Sequence, residues 1–313
     1  METFICVLLF ALGIALVVKG GDVFVDAASW IARALNIPSF IIGATIVSLA
    51  TTMPEMIVSV IAAAEGKTDM AVGNAVGSVT ANTALIMAVA MLAMHIVCQR
   101  KQYLKQCLLL IAAAAVLLVF CLSGRLSVVG SILLGIIFIL FMAQNIYSAR
   151  QKEEIKEERQ PVDKKLMIKN LIFFVVGAAA IVIGSQLMVD NGGELALRLG
   201  VPERVVAVTL IAVGTSLPEL VTTITAIVKK ESALSVGNII GANIIDLSLI
   251  LPICSLVSGE ALPVSAQSIA VDLPACLLVT LLAIVPLILR EKAAKWQGAL
   301  LLAAYVVYLV LVL

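Results

Sequence analysis

Two carboxylates stand at matched positions in two similar stretches of the chain. The first stretch is SLATTMPE, which ends at Glu55, and the second is AVGTSLPE, which ends at Glu219. A proline within a helix cannot donate to the carbonyl four residues earlier, so Pro54 and Pro218 are expected to leave carbonyls free. Carbonyls, hydroxyls and one carboxylate per stretch make an oxygen-only ligand set. Such a set suits Ca²⁺ or Na⁺ and does not suit soft transition metals.

A second pair of motifs follows the two glutamates. GNAVGSVTAN ends at Asn82, and GNIIGANIID ends at Asp246. Glycines four residues apart allow helices to approach closely, which alone would account for the glycines. It does not account for Asn82 and Asp246, whose side chains can coordinate an ion. Because Ser78, Asn82 and Asp246 follow the glycines at helical spacing, we expect them to face the same cavity as the glutamates.

Both pairs of motifs belong to one internal repeat with a shift of 164 residues. The stretch that starts at Asp26 aligns without a gap with the stretch that starts at Asp190. The identical pairs include Pro38/Pro202, Thr45/Thr209, Thr51/Thr215, Pro54/Pro218, Glu55/Glu219, Gly73/Gly237, Asn74/Asn238 and Gly77/Gly241. Two copies of one ion-binding pattern are therefore predicted.

The composition excludes a soluble globular protein. Of 313 residues, 62% are apolar and 13% are charged, with a mean hydropathy of +1.15. Soluble domains are about half apolar and a quarter charged. A net charge of +1 gives no reason to expect nucleic acid as a partner. The six cysteines form no CxxC pair, and no P-loop is present, so an ion gradient is the expected source of energy.

Ten apolar runs are long enough to cross a membrane, which takes about 20 residues each. They are 3–30, 38–64, 69–97, 103–122, 126–149, 167–198, 202–228, 233–257, 268–289 and 294–313. A polar linker, 150–166, separates a first repeat, 1–149, from a second, 167–313. Five spans per repeat force the second copy to enter the membrane in the opposite sense. We therefore predict an all-α integral membrane fold of two inverted five-helix repeats, with a substrate site at the midplane.

Basic residues predict the orientation of the spans. With the amino terminus outside, sixteen of the 21 lysines and arginines fall in inner segments and four in outer ones. Cytoplasmic loops carry an excess of these residues. Both termini are therefore predicted to face outside, and the 150–166 linker to be cytoplasmic.

The motifs together resemble the alpha repeats of the cation/calcium exchanger superfamily, and in particular the sodium/calcium exchanger family. GTSLPE followed by GNIIGAN carries this resemblance, and the chain is similar to the compact prokaryotic members found in the bacterial inner membrane. The resemblance implies a secondary antiporter that exchanges Ca²⁺ for Na⁺ by alternating access and serves calcium homeostasis. It implies no enzymatic reaction, no cofactor, and no partner besides the two ions and the bilayer.

The resemblance also assigns roles residue by residue. Glu55 and Glu219 match the paired carboxylates of the calcium site, and Thr51 and Thr215 match residues whose backbone carbonyls complete it. The flanking sodium sites are matched by Ser48, Thr52, Ser78, Ala212 (through its carbonyl) and Ser216. Asn82 and Asp246 match the middle position between the sites.

The chain departs from the family pattern at a few positions. Ala50 and Thr52 replace a glycine and a serine, and Val79 replaces an asparagine. Ala242 stands at the position that matches Ser78, so one sodium site is expected to lack a hydroxyl. This loss leaves the calcium carboxylates unchanged and affects the expected sodium stoichiometry.

Two other classes of function stay open at this point. The nearer one is a cation/proton antiporter, in which Glu55, Glu219 and Asp246 would carry the protons. The more distant one is a polytopic membrane enzyme or a channel. An enzyme would need a nucleophile or base, but the single histidine, His95, has no partner in the sequence. A channel does not need an inverted repeat with an odd number of spans.

Overall fold

A computed structural model of the protein describes residues 2–94, 96–97, 100–154, 163–200, 214–259 and 261–312. The regular structure of this part is helical apart from a two-residue antiparallel ladder between Arg125–Leu126 (β1) and Leu262–Pro263 (β2) and a single antiparallel bridge between Val97 and Lys292. Within it, eight helices are long and apolar enough to cross a membrane, and a bent helix pair can form a ninth span. The predicted seventh span starts in residues that lie outside the described part. The all-α membrane fold is therefore confirmed.

The helices of the first half are α1 (Glu2–Ala34), α2 (Ser39–Thr51), α3 (Met53–Ala64), α4 (Thr68–Ala93), α5 (Arg100–Cys121) and α6 (Val128–Glu154). Those of the second half are α7 (Lys164–Arg198), α8 (Leu217–Val228), α9 (Ser232–Ser258), α10 (Ser268–Arg290) and α11 (Lys295–Val312). Helices α2 and α3 form one span that bends by 48°. Helices α6 and α7 both extend into the predicted linker.

The structure repeats with the same shift of 164 residues as the sequence. Helix α3 spans Met53–Ala64, and α8 spans the matched residues Leu217–Val228. Each copy then carries a π-helical turn, at Asn82–Ile86 in α4 and at Asp246–Ile250 in α9. Such turns are rare and occur often at functional sites. The repeated motifs therefore specify repeated local structure, including a turn that hydropathy does not reveal.

Contacts between helix ends show that the two copies are inverted. The Arg198 guanidinium at the end of α7 donates to the Thr3 hydroxyl at the start of α1, over 2.7 Å. Helices α1 and α7 are matched elements of the repeat, so they run antiparallel. We name the two faces of the bundle after their turns. The Gly66 face has the turns at Gly66, Gly124 and Gly259, and the Lys230 face has the turns at Asn36, Lys230 and Glu291.

Helices α1 and α7 pack against each other through glycines. A Cβ atom on Gly13 would lie 2.8 Å from the Gly184 carbonyl oxygen, and one on Gly177 would lie 2.8 Å from the Phe24 nitrogen. These separations are too short for any side chain, so the two backbones are in direct contact. The pair thus forms a unit that contains none of the ion-binding motifs.

A glutamine stabilises the proline-containing helix α10. Pro286 has no N–H, so the carbonyl of Leu282 lacks its helical donor. The amide of Gln297, at the start of α11, donates to the Leu282 carbonyl at 2.9 Å and to the Ala283 carbonyl at 2.7 Å. Gln297 is buried, and these two bonds fix α11 against α10.

Candidate cation-binding site

The two glutamates lie in the first turns of α3 and α8, in the interior of the bundle. Both are 0% exposed. Thr52 and Ser216 precede these helices with nearly the same non-helical backbone angles, φ −83° and ψ 0° against φ −85° and ψ 6°. The chain is therefore interrupted before each glutamate, and a helix N-terminus with its partial positive charge lies next to the carboxylate.

The prolines begin the helices rather than kinking them, which corrects the prediction of a proline within a continuous helix. Pro54 and Pro218 occupy the first turn of α3 and α8, where the missing N–H has no intrahelical acceptor. In the first copy, the carbonyl of Ala50 has no helical donor, because the residue four positions later is Pro54, which has no N–H.

One hydrogen bond joins the two copies at the carboxylates. The Thr52 hydroxyl donates to Glu219 Oε1 over 3.2 Å. The matched hydroxyl, that of Ser216, is buried and has no hydrogen-bond partner among the described residues. The same is true of both carboxylate oxygens of Glu55 and of Oε2 of Glu219. Three of the four glutamate oxygens are thus buried without a donor.

A third carboxylate and an amide extend this set of unpartnered groups. Asp246 is 0% exposed and Asn82 is 1% exposed, and each begins a π-helical turn. None of their side-chain oxygen and nitrogen atoms has a hydrogen-bond partner in the part of the chain that the structure describes. Burying polar or charged groups without partners costs several kcal/mol. A cation among these groups would supply the missing interactions.

The ligand chemistry of the site is mixed rather than purely acidic. No group of three His, Cys, Asp or Glu side chains close enough to hold a metal occurs within the described ranges. A cation bound near Glu55 and Glu219 would therefore need hydroxyl, amide and carbonyl oxygens as well. Those oxygens are abundant here, and they are the ligands of Ca²⁺ and not of soft metals.

Identical residues of the two copies have different partners, and the site is consequently asymmetric. The Thr51 hydroxyl donates to the Asn238 side-chain oxygen at 3.2 Å. The matched residues, Thr215 and Asn74, instead line a cavity of about 520 Å³ that reaches Pro54 and Pro218. The amide of Asn74 donates to the Ser59 hydroxyl at 2.9 Å. The cavity contains Met70, at the start of α4, so the site is approached from the Gly66 face.

Ion pairs join α1 to α8 at the opposite, Lys230 face. The Lys229 ammonium lies 2.8 Å from Asp26 and 3.6 Å from Asp22. Burial disfavours the charged form of Lys229, but the hydrogen bond to Asp26 and the charges of Asp26 and Asp22 outweigh burial and raise the pKa of Lys229. A further pair, Arg33 with Glu231 at 3.2 Å, connects the same region.

The glycines of GNIIGAN bring α9 against α2. A Cβ atom on Gly237 would overlap the Phe40 carbonyl, and one on Gly241 would overlap the Ala44 carbonyl. The Ser48 hydroxyl would lie 2.6 Å from the Cβ of Gly241 and donates to the Thr45 carbonyl at 3.0 Å. Close helix approach, which the sequence offered as one explanation of this motif, is therefore confirmed for the second copy.

Most of the predicted site residues are buried in the two copies of the motifs. The buried ones are Ser48, Thr51, Thr52, Glu55, Ser78, Asn82, Ser216, Glu219 and Asp246. Thr215 is partly exposed to the cavity, and Ala212 lies outside the described residues. Asn74 and Asn238 were not predicted as site residues. The signal for them was the Gly-Asn pair that opens the second motif in both copies.

Comparisons with known proteins agree with this architecture. The model of the sodium/calcium exchanger protein family matches residues 5–147 and 169–313. The chain is 33% identical to the inner membrane protein YrbG of Escherichia coli, with 96% of this chain and 94% of YrbG covered. It is 29% identical to the sodium/calcium exchanger MaX1 of Methanosarcina acetivorans, with 97% of each chain covered.

The fold is also that of a solved exchanger. The sodium-calcium exchanger NCX_Mj, soaked with 10 mM Na⁺ and zero Ca²⁺, matches with a TM-score of 0.84 and 28% identity, over 97% of this chain and 98% of that one. This agreement extends the inverted repeat to a complete ten-helix exchanger fold. The protein is thus a multi-pass membrane transporter of cations and not an enzyme, and it belongs to the sodium/calcium exchanger family.

Proposed function

We propose that the protein is a secondary antiporter that exchanges Ca²⁺ for Na⁺ across the plasma membrane. The observation that carries this proposal is the pair Glu55 and Glu219, fully buried at matched positions of an inverted repeat, with three of four oxygens lacking a donor among the described residues. Two carboxylates balance the charge of one Ca²⁺. The names of MaX1 and NCX_Mj give sodium and calcium as the ions of those proteins, and the shared family and fold support the same ions here.

The exchange mechanism we infer is competition for one set of ligands. A divalent ion bound by Glu55 and Glu219 neutralises both carboxylates and repels further cations nearby. Several Na⁺ ions in the same and flanking positions would in turn repel Ca²⁺. The flanking positions are assigned to Ser48, Thr52, Ser78, Ala212 and Ser216, the middle position to Asn82 and Asp246, and the carbonyl ligands to Thr51 and Thr215. Coupling follows if only the ion-loaded forms change conformation.

Alternating access is supported by the asymmetry between the two faces. A cavity reaches the site from the Gly66 face, whereas the Thr51–Asn238 hydrogen bond and the ion pairs of Lys229 lie towards the Lys230 face. The glycine-packed pair α1 and α7 is the element that we propose to slide. It contributes none of the proposed ligands, so it can move while the remaining helices of the two repeats keep their motifs in place.

A flux measurement with separate ion gradients tests this function. Purified protein is reconstituted into proteoliposomes, and radioactive Ca²⁺ uptake is recorded under an imposed Na⁺, K⁺ or proton gradient. We expect uptake that is driven by the Na⁺ gradient and not by K⁺. Uptake driven by protons alone would replace sodium by protons as the coupling ion, and no uptake under any gradient would overturn the proposal.

A cation/proton antiporter is the second candidate, and two observations favour it. Asp246 is a third fully buried carboxylate near the same site, and both its oxygens lack a donor among the described residues. Ala242, also 0% exposed, supplies no hydroxyl at the position where the first copy has Ser78. A proton-coupled antiporter would not need this hydroxyl ligand. The flux measurement with separate Na⁺ and proton gradients distinguishes the sodium-coupled from the proton-coupled candidate.

Restoring the missing hydroxyl should strengthen sodium coupling. Ala242→Ser is expected to lower the Na⁺ concentration for half-maximal Ca²⁺ efflux a few-fold, because one added oxygen contact contributes about 1 kcal/mol. Calcium affinity should change little, since the carboxylates are untouched. Flux titrations of the parent and the variant give the comparison, with Ala88→Ser, a buried alanine of α4 next to α11, as the control. An unchanged sodium dependence in a sodium-coupled parent would contradict this role of position 242.

The proposed orientation places the Gly66 face and both termini outside, and the linker 150–166 in the cytoplasm. Single cysteines at Lys67 and Arg125 should then react with a membrane-impermeant thiol reagent added to intact cells. A cysteine at Lys292, on the Lys230 face, should react only after the cells are opened. All three positions are exposed, so accessibility of the side chain does not limit the reaction. Labelling of Lys67→Cys and Lys292→Cys from the same side would refute the topology.

A further inference from the structure

The cavity at Pro54 and Pro218 has a closed counterpart in the other copy of the repeat. Its wall on α7 includes three residues that the 164-residue shift pairs with residues of α1: Ser185 with Gly21, Val189 with Val25, and Asp190 with Asp26. The matched surface of α1 is packed against α8. A Cβ atom on Gly21 would lie 2.8 Å from the Thr225 hydroxyl oxygen, and Val25 is 0% exposed. Equivalent surfaces are therefore open towards the Gly66 face and closed towards the Lys230 face.

Ion pairs hold this α1–α8 interface together at the Lys230 face. The Lys229 ammonium lies 2.8 Å from Asp26 and 3.6 Å from Asp22, one turn apart on α1. Arg33, near the end of α1, is paired with Glu231 at 3.2 Å. All five charged groups thus connect α1 to the turn between α8 and α9.

The first copy has no matching ion pairs at the Gly66 face. The shift pairs Lys229 with Glu65, and it pairs Asp26 with Asp190. The remaining matched positions are Asp22 with Gln186, Arg33 with Leu197, and Glu231 with Lys67. Closing the Gly66 face in the same way would place Asp190 next to a carboxylate that is already paired with Lys67 of its own turn, at 2.7 Å. No attraction between opposite charges at these positions would then hold α7 against α3.

We propose that Lys229 is a positioning residue, an ionic latch that holds α1 against α8 and keeps the Lys230 face closed. The Gly66 face lacks a latch, so the form open to the Gly66 face is the more populated one. Ions at the Lys230 face then bind with an apparent affinity that is reduced by the small fraction of molecules open to that face. This inference rests on the alternating access of the proposed exchange function.

Cysteine labelling at two matched positions tests the latch. Val25→Cys and Val189→Cys are each made in a background without the six native cysteines. In lipid nanodiscs a thiol reagent reaches both faces, so labelling at Val189→Cys reports opening of the Gly66 face, and labelling at Val25→Cys reports opening of the Lys230 face. Lys229→Gln should raise the labelling rate at Val25→Cys about two- to five-fold, the range of a partly exposed ion pair, without raising it at Val189→Cys. The exchanged pair Lys229→Glu with Asp26→Lys should restore the parental rate.

The converse substitution installs a latch at the other face. Glu65→Lys places an ammonium group where it can pair with Asp190 when the Gly66 face closes. We expect slower labelling at Val189→Cys and faster labelling at Val25→Cys. Adding Asp190→Asn should remove both changes, and an unchanged effect of Glu65→Lys in that background would contradict the pairing.

Lys230→Gln is the matched control, because Lys230 is exposed in the same turn and carries the same charge. An equal rise at Val25→Cys in this control, an equal rise at both labelled positions, or no rise in Lys229→Gln would overturn the latch. If Val25→Cys does not fold, flux in oriented vesicles replaces it. The Ca²⁺ concentration for half-maximal flux from the Lys230 face should fall in Lys229→Gln but not in Lys230→Gln, and an equal value in both variants would refute the latch. Labelling needs no transported ion, so a parent without sodium-driven Ca²⁺ flux would refute the exchange function and not the latch.

Discussion

Glu55→Gln and Glu219→Gln should each abolish Ca²⁺ transport. Removing one charge of a buried pair that holds a divalent ion costs about 3–5 kcal/mol, which corresponds to a loss of at least 100-fold in affinity. Radioactive Ca²⁺ uptake into proteoliposomes and direct binding of Ca²⁺ by calorimetry provide the measurements. Near-normal uptake by either variant would disprove the assignment of the calcium site.

The same substitutions should leave the fold intact and even stabilise it without Ca²⁺. In the part of the chain that the structure describes, three of the four glutamate oxygens are buried without a donor, so neutralising a carboxylate removes an unfavourable charge. The Tm of each variant in calcium-free buffer should therefore equal or exceed that of the parent, and the increase in Tm on adding Ca²⁺ should disappear. Glu65→Gln, at an exposed carboxylate paired with Lys67, should change neither transport nor the calcium-dependent Tm.

A single added methyl group at Gly241 should be almost as damaging to the protein. The Cβ of Gly241→Ala would overlap the Ala44 carbonyl oxygen, which belongs to the backbone of α2 and cannot move aside cheaply. Overpacking of this kind costs about 1–3 kcal/mol, and it would displace Ser48 in the proposed sodium site. We expect a lower Tm and a large loss of transport.

Gly135→Ala is the matched control for this substitution. Gly135 lies within α6, and a Cβ atom there would meet no heavy atom within 4 Å. Alanine is favoured over glycine inside a helix by about 1 kcal/mol, so this variant should be as stable as the parent or more so. If Gly241→Ala retained the parental Tm and activity, the close contact between α2 and α9 would not matter for either.

Much of the fold follows from hydropathy and the repeat. Long apolar runs predict the spans. The 164-residue shift predicts that α3 and α8 cover matched residues, with Glu55 in α3 and Glu219 in α8. The local backbone structure was harder to infer at Pro54, which begins a helix instead of bending one. The reason is that Thr52 leaves the helical region of backbone angles, and nothing in its residue type requires this.

The asymmetry of the site could not be predicted from the motifs. Thr51 and Thr215 are the same residue type in the same context, as are Asn74 and Asn238, yet only Thr51 and Asn238 are hydrogen-bonded to each other. The open face differs between conformations of the protein, whereas the sequence is the same in all conformations. The motifs therefore cannot predict which face is open. The π-helical turns at Asn82 and Asp246 were missed for a different reason. A π-helical turn changes the direction of a side chain relative to a regular helix, and hydrophobic periodicity does not detect it.

The asymmetric Thr–Asn pairs have an energetic consequence for the balance between the two resting states. In the inverted repeat, opening of the Lys230 face would break the Thr51–Asn238 bond, and closing of the Gly66 face would bring Thr215 to Asn74. One hydrogen bond is lost and an identical one is gained, each worth about 1 kcal/mol, so the exchange is nearly isoenergetic. These two hydrogen bonds therefore give little bias towards either resting state. A bias would have to come from contacts without a counterpart in the other copy, such as the ion pair of Lys229 with Asp26, since the position that matches Lys229 is Glu65.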